Sequence, residues 1–132
     1  MAVGRDTAGV AVIDNKIYVV GGYKGDGAYL NDVEVYDPAL DIWETKAPMN
    51  TVRRALGVCQ VNGLIYAIGG FNKDGDLNTV EVYNPSTNEW QTKKEMTMKR
   101  SYLSAVAVKG SLYGIGGTNN GNPVNTVDHF IP

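Results

Sequence analysis

Three Gly-Gly pairs, Gly21-Gly22, Gly69-Gly70 and Gly116-Gly117, each follow an apolar run. Glycine in that place lets a backbone approach a phosphate closely. A dinucleotide loop, however, needs G-x-G-x-x-G opening a helix. Counted from Gly114, "GIGGTN" puts Asn119 at the last glycine position, and a loop and a strand follow it. The pairs are therefore read as strand endings that recur at a fixed place. Arg5, Arg53 and Arg100 form a second column and Glu34, Glu81 and Asp128 a third, each of one sign of charge. An acid inside a strand is costly unless paired. Each is expected to bond an arginine at the start of a first strand, a structural rather than a ligand-binding role.

Other chemistry finds fewer residues. "NKDGD", from Asn72, has acids suited to calcium, but an EF-hand loop needs glycine at its sixth position and glutamate at its twelfth. Leu77 and Tyr83 stand there, so the stretch reads as a solvated turn. With one histidine and one cysteine, zinc and copper sites lack ligands. His129 replaces the valine of "VEVY" and reads as a tolerated strand substitution. Cys59 lies mid-strand as a small buried thiol, and no serine or cysteine has a base and an orienting acid beside it in the pattern. No catalytic residue, metal or cofactor is expected.

These columns need elements to hold them. At 132 residues the chain fits one domain with a sizeable core. Its formal charge of −2 leaves no basic excess for nucleic acid or an anionic membrane. Apolar stretches such as "LIYAI" are of strand length, and "MAVGRDTAGV" has no signal-peptide block. The single cysteine forms no intramolecular disulfide, and Asn84-Pro85-Ser86 is no glycosylation site. A soluble, cytoplasmic chain is expected.

Aligning Met1, Met49 and Met96 brings the arginines and glycine pairs into register, with steps of 48 and 47 between the pairs. "NDVEVYDP", "NTVEVYNP" and "NTVDHFIP" align without a gap, and Trp43 matches Trp90. The repeat units are 1–48, 49–95 and 96–132. In the second, "ALGVCQV", "LIYAIGGF", "TVEVYN" and "EWQTKK" have strand character, and turn residues separate them. No helical period appears. Four strands in about 47 residues describe a propeller blade with both faces covered by neighbours.

The order Arg, strand, Gly-Gly, loop, "VEVY", Asp/Asn-Pro, Trp resembles the kelch repeat, and the texture is most similar to the propeller of kelch-like proteins. The resemblance implies an all-β, kelch-type β-propeller arc of four-stranded antiparallel blades. The third stops at Pro132, without its tryptophan and outer strand. It also implies that the third-strand tyrosine and the outer-strand tryptophan pack between blades. Kelch propellers usually close with about six blades. Two such arcs making one ring, a homo-oligomer, or a fragment or artificial piece of a longer chain, are both expected readings.

Function is sought where the copies differ. Tyr23, Phe71 and Thr118 follow the glycine pairs, and Asp6, Arg54 and Ser101 follow the arginines. The resemblance places both columns at the mouth of the central channel, in contact with bound peptide. The loops from Lys24 to Asn31, Asn72 to Asn78 and Asn119 to Asn125 should border it, with Tyr29 as an aromatic candidate. The expected function is binding of a peptide or protein loop, as substrate recognition for a cullin-type ubiquitin ligase in a longer parent. Arg54 favours an acidic or phosphorylated ligand. Kelch relatives also include actin cross-linkers, sialate mutarotases and copper oxidases; the missing histidines disfavour the oxidase and the incomplete ring the mutarotase.

Overall fold

The computed structural model describes residues 1–132, and every regular element is a β-strand. The first sheet holds β1 (Gly9–Ile13), β2 (Lys16–Tyr23), β3 (Tyr29–Asp37) and β4 (Ile42–Lys46) in chain order. In the second repeat come β5 (Gly57–Val61), β6 (Leu64–Ile68), a short hairpin of β7 (Phe71–Asn72) and β8 (Gly75–Asp76), then β9 (Val80–Asn84) and β10 (Glu89–Lys93). Strands β5, β6, β9 and β10 form its sheet. The third repeat has β11 (Ser104–Val108), β12 (Ser111–Ile115), a hairpin of β13 (Thr118–Asn119) and β14 (Asn122–Pro123), and β15 (Val127–Phe130). Its sheet is β11-β12-β15, and all pairing is antiparallel.

Two-residue turns join the first two strands of every sheet. Asp14-Asn15, Asn62-Gly63 and Lys109-Gly110 all have positive φ, the geometry whose twist matches paired strands. Strand alternation then sends side chains to both faces of each sheet, and both faces of the middle sheet are covered. Ile65, Ala67 and Tyr83 join Ala11, Val20 and Val33 in one core, while Tyr66, Ile68 and Val82 join Leu103 and Leu112 in the next. The three sheets stand side by side with β1, β5 and β11 innermost, forming an arc of blades.

Aromatics lock the blades as expected. Trp90 packs 5.2 Å from Tyr83 and donates its indole N–H to the Ala47 carbonyl of the preceding repeat. Trp43 packs on Tyr36 at 5.0 Å and is 39% exposed. Met49 and Met96 are buried in the joints, whereas Met1 is exposed.

The arginine and acid columns form ion pairs in all three repeats: Arg5–Glu34, Arg53–Glu81 and Arg100–Asp128, each 2.5 Å long. Arg53 Nη1 also donates to the carbonyls of Gly69 and Thr79, and Arg100 Nη1 to those of Gly116 and Thr126. Their main chains belong elsewhere. Arg53 N–H donates to Leu30 and its carbonyl accepts from Gly22, both in the first blade. Arg100 repeats this with Leu77 and Gly70 of the second. Arg53 and Arg100 therefore each join two blades, with the backbone in one and the guanidinium in the next.

Two details differ from the sequence reading. The glycine pair was expected to end the second strand, yet β2 runs through it to Tyr23, with a register shift between Val20 and Gly22. In the later repeats the pair breaks it into β6 and β7, and into β12 and β13. Tyr29 and Asn31 were assigned to a loop, but they lie in β3, where Tyr29 pairs with Tyr23.

Removing one partner of a buried ion pair leaves the other charged and unpaired, at a cost of about 3–5 kcal/mol. Arg53 and Glu81 have side chains 0% and 1% exposed. Glu81→Gln is expected to lower unfolding free energy toward that range in urea denaturation while leaving ligand affinity nearly unchanged. A loss below about 0.5 kcal/mol, the range of an ordinary surface substitution, would refute this role.

Candidate binding site at the propeller mouth

The two variable columns meet. Asp6 pairs with Tyr23, Arg54 with Phe71 and Ser101 with Thr118, each as an isolated antiparallel bridge with two backbone hydrogen bonds of 2.8–3.0 Å. The glycine pair makes this possible. Gly69 and Gly70 have φ of 59° and 102°, values that side chains rarely adopt. A Cβ on Gly69 would sit 2.6 Å from the Arg100 carbonyl, and one on Gly70 would sit 2.7 Å from that of Arg54. The second glycine thus lets the two variable residues pair.

Their neighbours bond across blades. Ala55 N–H donates to the Thr7 carbonyl, and Tyr102 N–H donates to that of Ala55. Thr7, Ala55 and Tyr102 have φ of 48°, 51° and 54°. Non-glycine residues held there are strained and gather at functional surfaces. Tyr102 is 58% exposed and was missed from sequence, because nothing in its residue type signals a left-handed backbone.

Arg54 is the centre of the site. Its guanidinium carbon lies 4.8 Å from the Tyr23 ring centroid and 5.6 Å from those of Tyr29 and Phe71. The rings also pack on one another, Tyr23–Tyr29 at 5.3 Å and Tyr29–Phe71 at 6.1 Å. This group has no carboxylate within 4.0 Å, and its Nε is buried without an acceptor. Cation–π contacts orient the cation without neutralising it.

Ser101 and Thr118 serve a different end. Ser101 is 2% exposed and donates its Oγ to Asp76, which also accepts from Asn120 N–H. Asp76 thereby ties the β7–β8 hairpin to the third blade. It stood in "NKDGD", read only as a turn, and its partners lie 25 and 44 residues away. Together Arg54, Phe71, Asp76, Ser101, Tyr102 and Thr118 line a cleft of about 230 Å³. Asp6 is held at the far side, accepting from Thr7 Oγ1.

The remaining candidates have other tasks. Burial pushes the Cys59 thiol up to about 11, so it stays protonated at neutral pH and unsuited to nucleophilic attack. It is half-buried rather than fully enclosed. His129 stacks on Tyr113 with ring centroids 4.6 Å apart. Burial pulls the Arg53 guanidinium below its usual range, opposed by Glu81.

The sequence is similar to those of known proteins. The model of the KLHDC2/KLHL20/DRC7 Kelch-repeats domain matches residues 2–117. The chain belongs to the kelch-repeat family, and its fold is a kelch-type β-propeller arc. "Kelch repeat and BTB domain-containing protein 1" of Ectromelia virus (strain Moscow) is 38% identical over 72 residues, 54% of this chain and 13% of that protein. "Kelch-like protein 4" of Homo sapiens is 43% identical over 61 residues, 46% of this chain and 8% of that protein. "Beta-scruin" of Limulus polyphemus is 33% identical over 78 residues, 59% of this chain and 8% of that protein. The matched segments thus span a small part of these relatives. No helix is long and apolar enough to cross a membrane.

Proposed function

We propose that this kelch arc is a protein-interaction module, which binds an extended peptide or protein loop across its mouth and meets an acidic side chain with Arg54. The observation that carries this is an arginine held by Tyr23, Tyr29 and Phe71 without a counter-ion. Its orientation is set before binding, so less side-chain entropy is lost when a carboxylate or phosphate arrives. The surrounding rings add apolar contact of the kind that dominates interface energetics. Because the bridging backbones are already paired, recognition falls to side chains. A substrate-receptor role in a ubiquitin ligase belongs to a longer parent, and the BTB region in one matched relative's name supports that setting.

Peptides selected from a random displayed library against this chain are expected to be rich in Asp and Glu. Arg54→Ala should weaken them by about 1.5–3 kcal/mol, as for a hydrogen bond to a charged group, which is roughly 10- to 150-fold. Equal binding by Arg54→Ala would refute the reading.

A second observation bears on what closes the mouth. Gly117 N–H and the carbonyls of Val124 and Asn125 have no backbone partner, whereas their counterparts in the earlier repeats hold the next arginine and methionine. Met1 and Arg5 of a second copy carry the matching groups. One column opposes that fit. Gly9 and Gly57 face Val58 and Ala105, and a Cβ on Gly9 would lie 2.0 Å from Val58 Cγ2. Ser104 occupies this place in the third blade, and a second copy would set Val10 against it. Ring completion by a second arc is therefore weak until that contact is relieved. Relief of overpacking is worth about 1–3 kcal/mol, so Ser104→Gly is expected to tighten self-association by roughly 5- to 150-fold in sedimentation equilibrium. An unchanged association constant would contradict it.

A further inference from the structure

The cleft between the second and third blades holds a charge of each sign, and an acidic ligand engages only one of them. Arg54 pairs with Phe71, and Phe71 pairs in turn with Asp76. Residues directly opposite one another across strands project from the same face at about 5 Å spacing, so this row sets the Cβ atoms of Arg54 and Asp76 roughly 10 Å apart on one surface. Phe71 stands between them. The other blades build the same kind of row, with Asp6, Tyr23 and Tyr29 in the first and Ser101, Thr118 and Pro123 in the third. The second blade alone carries both signs of charge on its row.

Asp76 is fixed as an acceptor. Its Oδ1 accepts from Ser101 Oγ at 2.6 Å and its Oδ2 from Asn120 N–H at 2.7 Å. Ser101 commits its proton to that bond, so the Thr118 hydroxyl, 3.4 Å away, is the donor to Ser101 in turn. The donors of this wall are thereby spent on one carboxylate. No lysine or arginine lies within 4.0 Å of Asp76, and of the carboxylate's roughly four lone-pair sites about two stay open. Arg54 and Asp76 are the only charged residues that line the cleft. The wall therefore offers one cation and, beside it, an acceptor with room for a donor. A phosphate suits this poorly, because it brings only acceptor oxygens and is ordinarily met by clustered arginines.

We infer, on the reading of the mouth as a peptide site centred on Arg54, that its ligand is bipolar: an Asp or Glu meets Arg54 and, about three residues along an extended chain, a Lys or Arg meets Asp76. The basic side chain supplies the donors that Asp76 lacks and leaves the bonds from Ser101 and Asn120 in place. Phe71 packs under the residues between the two charges. Both charges of the cleft are then matched when water leaves it. The acid also rejects wrong ligands, since an all-acidic segment or a phosphoserine sets a further negative charge against Asp76.

The probe is a displayed library of random peptides, selected separately on the 132-residue chain and on its variants. On the unmodified chain, Lys and Arg are expected to be enriched about three positions from a selected Asp or Glu. Asp76→Asn should lose the basic enrichment and keep the acidic one. Asp74→Asn removes the same charge from the same hairpin at a side chain 72% exposed and outside the row, and it should keep both. Without any change to the chain, a selected peptide resynthesised with Met in place of its Lys or Arg should bind at least roughly fivefold more weakly, and one with phosphoserine in place of its acid should also bind more weakly. Acidic enrichment without basic enrichment, equal binding by the methionine peptide, or loss of both enrichments together in Asp76→Asn would each overturn the bipolar ligand while leaving Arg54 as an acid-binding site. Absence of acidic enrichment on the unmodified chain would end both readings.

Discussion

The guanidinium of Arg53 lies in the second blade while its peptide group lies in the first, and Arg100 repeats the division one blade later. The rest of the arc depends on this arrangement. A cation without bulk water needs its charge matched and its donors filled. Glu81 supplies the charge, and the carbonyls of Gly69 and Thr79 accept from Nη1, while Nε alone is left without an acceptor. The acid is itself held by Asn50 and Thr51 N–H. This network fixes the segment between blades, and the segment fixes the angle at which the sheets meet.

The mouth follows from the same constraint. The residue after the arginine is carried to a set place beside the residue after the glycine pair, and the two bond to each other whatever their side chains. Only the side chains remain free to differ. In the first two blades they supply Tyr23, Arg54 and Phe71 and form an aromatic seat for a cation; in the third, Ser101 and Thr118 make the surface small and polar. A rigid frame with interchangeable tips suits recognition, since its order does not depend on the ligand.

Much of this was legible in the chain's own repetition. Three arginines opposite three acids indicated pairing, because a lone acid in a strand is too costly. The variable columns were visible for the opposite reason, as positions released from the frame. What stayed hidden depends on contacts far apart in sequence or on backbone angles that residue types do not announce. Asp76 was a turn residue until Ser101 and Asn120 were seen to reach it. Thr7, Ala55 and Tyr102 carry side chains where glycine would signal a left-handed backbone.

Native-state hydrogen exchange tests the central claim most directly, because the glycine amides report on the joints one by one. Gly22 and Gly70 N–H donate to the carbonyls of Arg53 and Arg100, whereas Gly117, the equivalent in the third blade, has no such acceptor. If the divided arginines hold the blades together, Gly22 and Gly70 should exchange only with global unfolding, as core-strand amides do, and roughly a hundredfold or more slower than Gly117. Exchange of Gly22 and Gly70 as fast as that of Gly117 would show that the joints open on their own and would contradict the account.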